Sequence, residues 1–370
     1  MAATGLACLL PAVAANPPLT VPKAARVAWL AFARVAVQAM TQMAAMTRPG
    51  VVRAAGIDCG TNSIRLLIAD VDVAAGRLTD VTRLMEVVRL GQGVDRTGHF
   101  APEALERTLA QVKRFGRLCQ EAGVGPVRFV ATSATREAAN RAVLLDAVRA
   151  ELGVEVNVVD GLEEAHLSFT GALSGLAGRW PGPFLCVDLG GGSTELVLGV
   201  DAPVQAHSMD VGCVRLTERH LLNDPPTEAQ VLAAAADVDV ALEAAAKQVD
   251  LGQTGTLVGL AGTITTVTAL ALGLDHYDPA RIDGAALGLD LLQTSCRRLW
   301  QASRAERAAF GFMHPGRVDV IGGGAVIWSR VLAHVSDAVT GQGGHLAQAV
   351  TSEHDILDGI TLSAASSSSA

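Results

Sequence analysis

The feature that most constrains this 370-residue chain is a repeat: two stretches match when one is slid by 130 positions. Gly56-Ile57-Asp58-Cys59-Gly60-Thr61-Asn62-Ser63-Ile64-Arg65-Leu66-Leu67-Ile68 superposes on Cys186-Val187-Asp188-Leu189-Gly190-Gly191-Gly192-Ser193-Thr194-Glu195-Leu196-Val197-Leu198. Each reads as an apolar strand ending in Asp, a turn of small residues and a second apolar strand. That is a β-hairpin with a carboxylate at its mouth. The same offset carries Phe129–Ala134 onto Gly259–Ile264, again an apolar strand running into small hydroxyl residues. A period this long excludes a solenoid and predicts two similar α/β domains facing each other.

Helical periodicity fills the gaps between these landmarks. It predicts helices over Ala101–Ala122, Ala138–Leu152, Thr227–Val249, Leu287–Trp300 and Arg304–Phe312, with a strand at Val154–Val159. Ser352-Glu353-His354-Asp355 has the spacing of a capping box before an apolar helix, and Ser366–Ser369 reads as a frayed terminus. The resulting domains are 51–172 and 173–362, the last helix of the second within reach of the first, followed by a disordered tail over 363–370.

Residues 1–50 read differently from the rest: none of the 37 acidic residues falls there, and Lys23, Arg26, Arg34 and Arg48 are the only charges. A secretory signal is argued against by the uncharged start and by Pro11, Pro17, Pro18 and Pro22, and a membrane span by Arg34 in the middle of the longest apolar run. The expectation is an extension foreign to the native protein, with the true start near Met46. An overall charge of −8 and 4% aromatic residues lack the basic stripe and stacking platforms of a nucleic-acid binder. Six scattered cysteines show no disulfide or zinc-ligand spacing, so they read as reduced thiols of a cytoplasmic protein.

The turns Gly60-Thr61-Asn62-Ser63 and Gly190-Gly191-Gly192-Ser193 offer bare backbone amides and small hydroxyls, the arrangement that cradles phosphate oxygens. Asp58 and Asp188 stand where a hard cation, most simply Mg²⁺, could bridge carboxylate to phosphate; the alternative is that each Asp caps its turn. The copies differ at one informative place, Arg65 against Glu195, which offers a cation for an anionic substrate and a carboxylate for metal or water, or else a salt bridge across the cleft. Arg136 is a second phosphate clamp by residue type. Glu163-Glu164 opens the helix leading to the second repeat, where a carboxylate of raised pKa could serve as general base or simply favour the helix dipole.

Together, Asp58-x-Gly60-Thr61-Asn62-Ser63-x-Arg65, Ala131-Thr132-Ser133-Ala134-x-Arg136, Gly161-x-Glu163-Glu164-Ala165, Asp188-x-Gly190-Gly191-Gly192-Ser193-Thr194-Glu195 and Gly259-x-Ala261-Gly262-Thr263 resemble the exopolyphosphatase and guanosine pentaphosphate phosphohydrolase (Ppx/GppA) family. The stretches Gly311–Gly324 and Ser352–Gly359 resemble its short actinobacterial form. The resemblance implies two duplicated ribonuclease-H-like domains of the actin and sugar kinase superfold with the active site in the cleft between them. It implies Glu164 as the base that activates water, with Asp188 and Glu195 holding Mg²⁺ or the lytic water and Asp58 as a further metal ligand. Gly60–Ser63, Arg65, Arg136, Gly190–Ser193, Gly262 and Thr263 would grip the terminal phosphates.

The implied substrate is inorganic polyphosphate or guanosine pentaphosphate, with a homodimer as the implied assembly and neither nucleic acid nor membrane as partner. Longer members carry a further C-terminal domain. Its lack here shifts the expectation toward short polymers or a nucleotide. An ATP-dependent kinase of the same superfold, with Gly322-Gly323-Gly324 as its adenosine loop, and a nonenzymatic sensor of polyphosphate or alarmone are the remaining readings.

Overall fold

The computed structural model describes residues 50–176 and 178–367, so the 1–49 extension lies outside the described residues. Both repeats fold as predicted. β1 (Val51–Cys59) and β2 (Ser63–Asp72) pair antiparallel with Asp58 opposite Arg65, while β6 (Phe184–Leu189) and β7 (Thr194–Gly199) pair antiparallel with Asp188 opposite Glu195. Each hairpin gains a third antiparallel strand, β3 (Arg77–Val87) in the first lobe and β8 (Pro203–Met209) in the second. A parallel strand lies on the other side of each, β4 (Val127–Ala131) beside β1 and β9 (Thr256–Leu260) beside β6. With β5 (Val156–Val158), β10 (Ala286–Gly288) and β11 (Gln348–Thr351), the sheets run β3-β2-β1-β4-β5 and β10-β11-β9-β6-β7-β8. Every residue of β6 and β7 is buried, as expected for strands covered on both faces.

The first lobe carries α1 (Val94–Thr97), α2 (Pro102–Glu121), α3 (Ser133–Glu137) and α4 (Ala142–Leu152). Leu105, Val112, Phe115 and Cys119 of α2 recur at helical spacing and enter one core with Ile57, Ile64, Leu66 and Phe129. The predicted Ala138–Leu152 helix is thus shorter, the chain first completing α3 after the strand end.

Two helices exchange partners. α5 (Gly161–Leu176), which the sequence boundary at 172/173 assigns to the first domain, inserts Ala165, Phe169, Ala172 and Leu176 against Cys186, Val197 and Val258 of the second sheet. The last described helix, numbered below, returns to the first sheet. The two cross through bare glycine faces: a Cβ on Gly171 would lie 1.8 Å from the Asp355 carbonyl, and one on Gly359 would lie 2.0 Å from the Leu167 carbonyl. Only glycine permits that backbone approach.

The second lobe continues with α6 (Cys213–His220), α7 (Glu228–Ala245), α8 (Ala261–Ala271), α9 (Pro279–Ile282), α10 (Leu289–Gln301), α11 (Arg304–Ala308), α12 (Ile321–Gly341) and α13 (Ile356–Ser367). Thr227 and Gln230 form a reciprocal capping box on α7. The glycines 322–324 are no loop: they sit buried in the first turn of α12, where their bare faces admit the Thr217 and Thr263 side chains.

At α13 the cap is Asp355 rather than Ser352. Asp355 Oδ1 accepts from Leu357 N–H at 3.0 Å and Asp358 Oδ2 from Asp355 N–H at 3.2 Å, while the Ser352 hydroxyl bonds to the His354 backbone. The helix also outlasts the predicted start of the tail at 363. Ala364 and Ala365 are buried against the first sheet, and the hydroxyls of Ser363, Ser366 and Ser367 bond back to carbonyls of the preceding turn.

Candidate active site

The two hairpin mouths meet at a cavity of about 100 Å³. Both turns close with the same bond, glycine N–H to serine carbonyl at 3.0 Å, in Gly60/Ser63 and in Gly190/Ser193. Carbonyls at the turn tips are tied outward. Thr61 O accepts from Gly91, Asn62 O from Val88 and Arg89, and Gly191 O from Val214 and Arg215. The tip amides of Thr61, Asn62, Gly191 and Gly192 donate to no group among the described residues. Outward carbonyls with free inward amides make an anion-binding nest.

Four helices also begin at the cavity wall. Cys213, Ala261, Ile321 and Ile356 are the first residues of α6, α8, α12 and α13, and all four line it. Four positive helix ends around one small space favour an anion there. Ala261 takes a left-handed φ of +67°, a strained choice for a residue with a Cβ that turns α8 directly off the end of β9.

Against this positive field stand four carboxylates. Glu164, in the first turn of α5, is buried, and Arg136 Nη1 donates to its Oε2 at 2.6 Å and to Val159 O at 2.9 Å. Burial pushes the Glu164 carboxyl up to about 7, Arg136 resists that rise, and the charges of Asp188 and Asp58 add to it. Asp188 is pushed up to about 6 by burial and by Asp355, while Ser168 Oγ donates to its Oδ2 at 2.5 Å.

Asp58 Oδ2 accepts from Arg65 Nε at 2.9 Å and Nη2 at 2.6 Å, and Arg65 Nη1 turns to Asp355. Its Oδ1 is buried without a hydrogen-bond partner. Glu195 accepts from Ser208 Oγ at 2.7 Å, and burial with the nearby Glu164 and Asp188 charges raises its carboxyl well above the usual range. Burial likewise raises the Cys59 and Cys186 thiols, so neither supplies a thiolate nucleophile.

No described cluster of three or more His, Cys, Asp or Glu is arranged to hold a metal by itself. The bare Asp58 Oδ1 and the Asp188 carboxylate nevertheless fit a hard cation of the Mg²⁺ kind, which takes one or two carboxylates and completes its shell with water and substrate oxygens.

Residues 67–353 match the Ppx/GppA phosphatase family. The chain belongs to this family. It is 49% identical over 321 residues to Exopolyphosphatase 2 of Mycobacterium tuberculosis, covering 85% of this chain and 98% of that protein. A crystal structure of an exopolyphosphatase-like protein is similar with TM-score 0.80 and 48% identity, covering 84% of this chain and 98% of that one. The Aquifex aeolicus Ppx/GppA family member follows with TM-score 0.70 and 28% identity, covering 86% of this chain and 99% of that one.

Within this Ppx/GppA chain the predicted residues divide. Asp58, Gly60, Thr61, Asn62, Ser63, Arg65, Glu164, Asp188, Gly190, Gly191, Ser193, Gly262 and Thr263 line the cavity. Gly192 faces Thr61 and Ser133, Glu195 lies fully buried outside the lining, and Arg136 pairs with Glu164 through Nη1. No Arg65–Glu195 bridge forms, because Asp58 and Asp355 take the guanidinium.

Sequence reasoning missed three residues. Asp355 comes from 290 residues beyond Arg65, and its local signal marked a helix start rather than a partner for that guanidinium. Ser168 was findable, one helical turn past Glu164 and so on the same face. Arg317 lines the cavity beside Gly262 with no carboxylate in ion-pair contact among the described residues; its guanidinium occupies the space a Cβ on Gly262 would take.

Proposed function

We propose that the chain hydrolyses the terminal phosphoanhydride of inorganic polyphosphate and releases orthophosphate. The observation that carries this is a buried carboxylate, Glu164, its pKa raised by burial, facing a cavity floored by free amides of two loops and ringed by four helix N-termini. In this reading the terminal phosphoryl group lies against the tip amides of Thr61, Asn62 and Gly191, with Arg317 as a cation for its oxygens. Glu164 accepts a proton from water as the water oxygen attacks phosphorus, the P–O bond to the chain breaks, and orthophosphate departs. Arg136 keeps Glu164 ionised often enough to act near neutrality, and Ser168 fixes the Asp188 carboxylate from the base's own helix. Asp58 and Asp188 would hold Mg²⁺, which when bound neutralises charge on the phosphoryl oxygens.

A second reading, guanosine pentaphosphate 5′-phosphohydrolase, is favoured by one observation. A chamber of about 450 Å³ adjoins the cavity across Arg65, Ala261, Gly262 and Arg317, and Leu84, Met85, Tyr277, Phe312 and Met313 give it an apolar wall. The apolar wall suits a nucleobase, which buries surface there.

Phosphate release with Mg²⁺ from polyphosphates of graded length and from guanosine pentaphosphate, beside Glu164→Gln, tests both. Release from polyphosphate that the substitution abolishes supports the first reading. Release from the nucleotide alone, weakened by Phe312→Ala, supports the second. Binding of either without release would overturn both in favour of a sensor.

A further inference from the structure

Outside the catalytic cavity, α6 turns three charged residues toward the first lobe: Arg215, Glu218 and Arg219, which share a face by their i, i+3, i+4 spacing. Arg215 is only 9% exposed, and all three guanidinium nitrogens are occupied. Nε donates to Gly192 O at 2.8 Å, Nη1 to Asp95 Oδ1 at 2.6 Å, and Nη2 to Glu137 Oε1. The first acceptor belongs to the glycine loop of its own lobe, and the other two belong to the opposite lobe.

Arg219 adds two bonds of 2.8 Å to Asp95, and Glu218 accepts from Gly93 N–H at 3.2 Å. The segment that carries Asp95 also backs the first phosphate loop. Gly91 donates to Thr61 O at 2.8 Å, and the Thr61 side chain fills the space where a Gly91 Cβ would stand. One arginine therefore reaches a carbonyl of one loop and the brace of the other.

We propose that Arg215 is a positioning residue that fixes the separation and facing of the two phosphate loops without touching substrate. Its planar fork meets three acceptors at fixed angles, which a lysine ammonium cannot reproduce. By holding the Gly192 carbonyl outward it leaves the amide side of that loop facing the cavity. A buried ion pair of this kind adds little net stability over apolar packing, so its value here lies in geometry.

Hydrogen exchange of the substrate-free protein reads this directly. In Arg215→Met, the hydrogen-bonded amides of Gly190, Gly91, Val94 and Arg96 exchange about tenfold faster than in the parent, whereas Arg330→Met, which breaks only the Arg330–Asp239 pair inside the second lobe, leaves them unchanged. In phosphate-release assays, Arg215→Met raises KM about tenfold with kcat reduced less than about threefold, and Arg215→Lys falls between. If Arg215→Met fails to fold, Asp95→Asn reads the same contact from the first lobe.

Unchanged exchange in both loops would overturn the proposal, as would a KM equal to that of the parent. The kinetic arm rests on the hydrolase reading, and the exchange arm does not. A parent protein that releases no phosphate, with loops that loosen in Arg215→Met, would therefore sink the hydrolase reading and leave the positioning role standing.

Discussion

The two hairpins share a backbone and divide the chemistry. Their turns close with the same 3.0 Å bond, and each places its Asp opposite the residue at the same register. One exchange of residue type separates them. Beside Arg65, Asp58 commits one oxygen to a guanidinium and keeps the other bare; beside Glu195, Asp188 has no cation in its own hairpin and leans on Ser168. Both copies keep the bare turn amides, while the single Arg65/Glu195 exchange leaves Asp58 against a guanidinium and Asp188 beside Ser168 and near the Glu164 carboxyl. A symmetric cradle suits a symmetric phosphoryl group, and asymmetric carboxylates suit a directional reaction.

The largest expected effect breaks the comparison on the proton-transfer side. Glu164→Gln lowers phosphate release by about 10³-fold with polyphosphate binding retained, and a loss under about tenfold would move the base elsewhere. Next, Asp58→Asn is expected to cost about 10²-fold at limiting Mg²⁺ and to recover as Mg²⁺ is raised, because its bare oxygen is the one assigned to the cation. Recovery at no concentration would make Asp58 a partner of Arg65 only.

The pH profile sharpens the same division. Release rises with pH through about 7, where Glu164 loses its proton. Arg136 favours the ionised form, so Arg136→Gln moves that inflection upward by about one unit, and a downward move would contradict the assigned pairing.

The smallest effect concerns Glu195. Burial and the nearby Glu164 and Asp188 charges raise its carboxyl in the fold above its unfolded value, so stability falls as pH climbs from the unfolded toward the folded value. Glu195→Gln removes that loss. Its Tm should exceed the parent's by about 2–4 °C at pH 8 and match it at pH 4, as read by calorimetry.

Much of the site was legible because it is local and repeated. Asp58 and Asp188 end strands, glycine turns follow them, and Glu164 opens a helix, so each declares its place within a dozen residues. What escaped was assembled by the tertiary fold. Asp355 reaches Arg65 across 290 positions, and Arg136, a phosphate clamp by type, bonds Glu164 and Val159 O through Nη1. The glycines 322–324 looked like a loop by composition alone, yet they are helix surface shaved down for Thr217 and Thr263. The packing of α5 on the second sheet was hidden for the same reason: amphipathicity says that it has an apolar face but not which sheet receives it.

The exchange of α5 and α13 has a consequence for how the chain is made. Leu357, Ala364 and Ala365 cover Ala54, Leu67 and Val71, so the earliest strands to be synthesised wait for the last described helix before one face of their sheet is sealed. One face of the first sheet is therefore sealed only by contacts that span nearly the whole described chain. A transcript cut just before Ile356 would still encode both phosphate loops and the base, but its product would leave the nascent sheet open to chaperones and proteases.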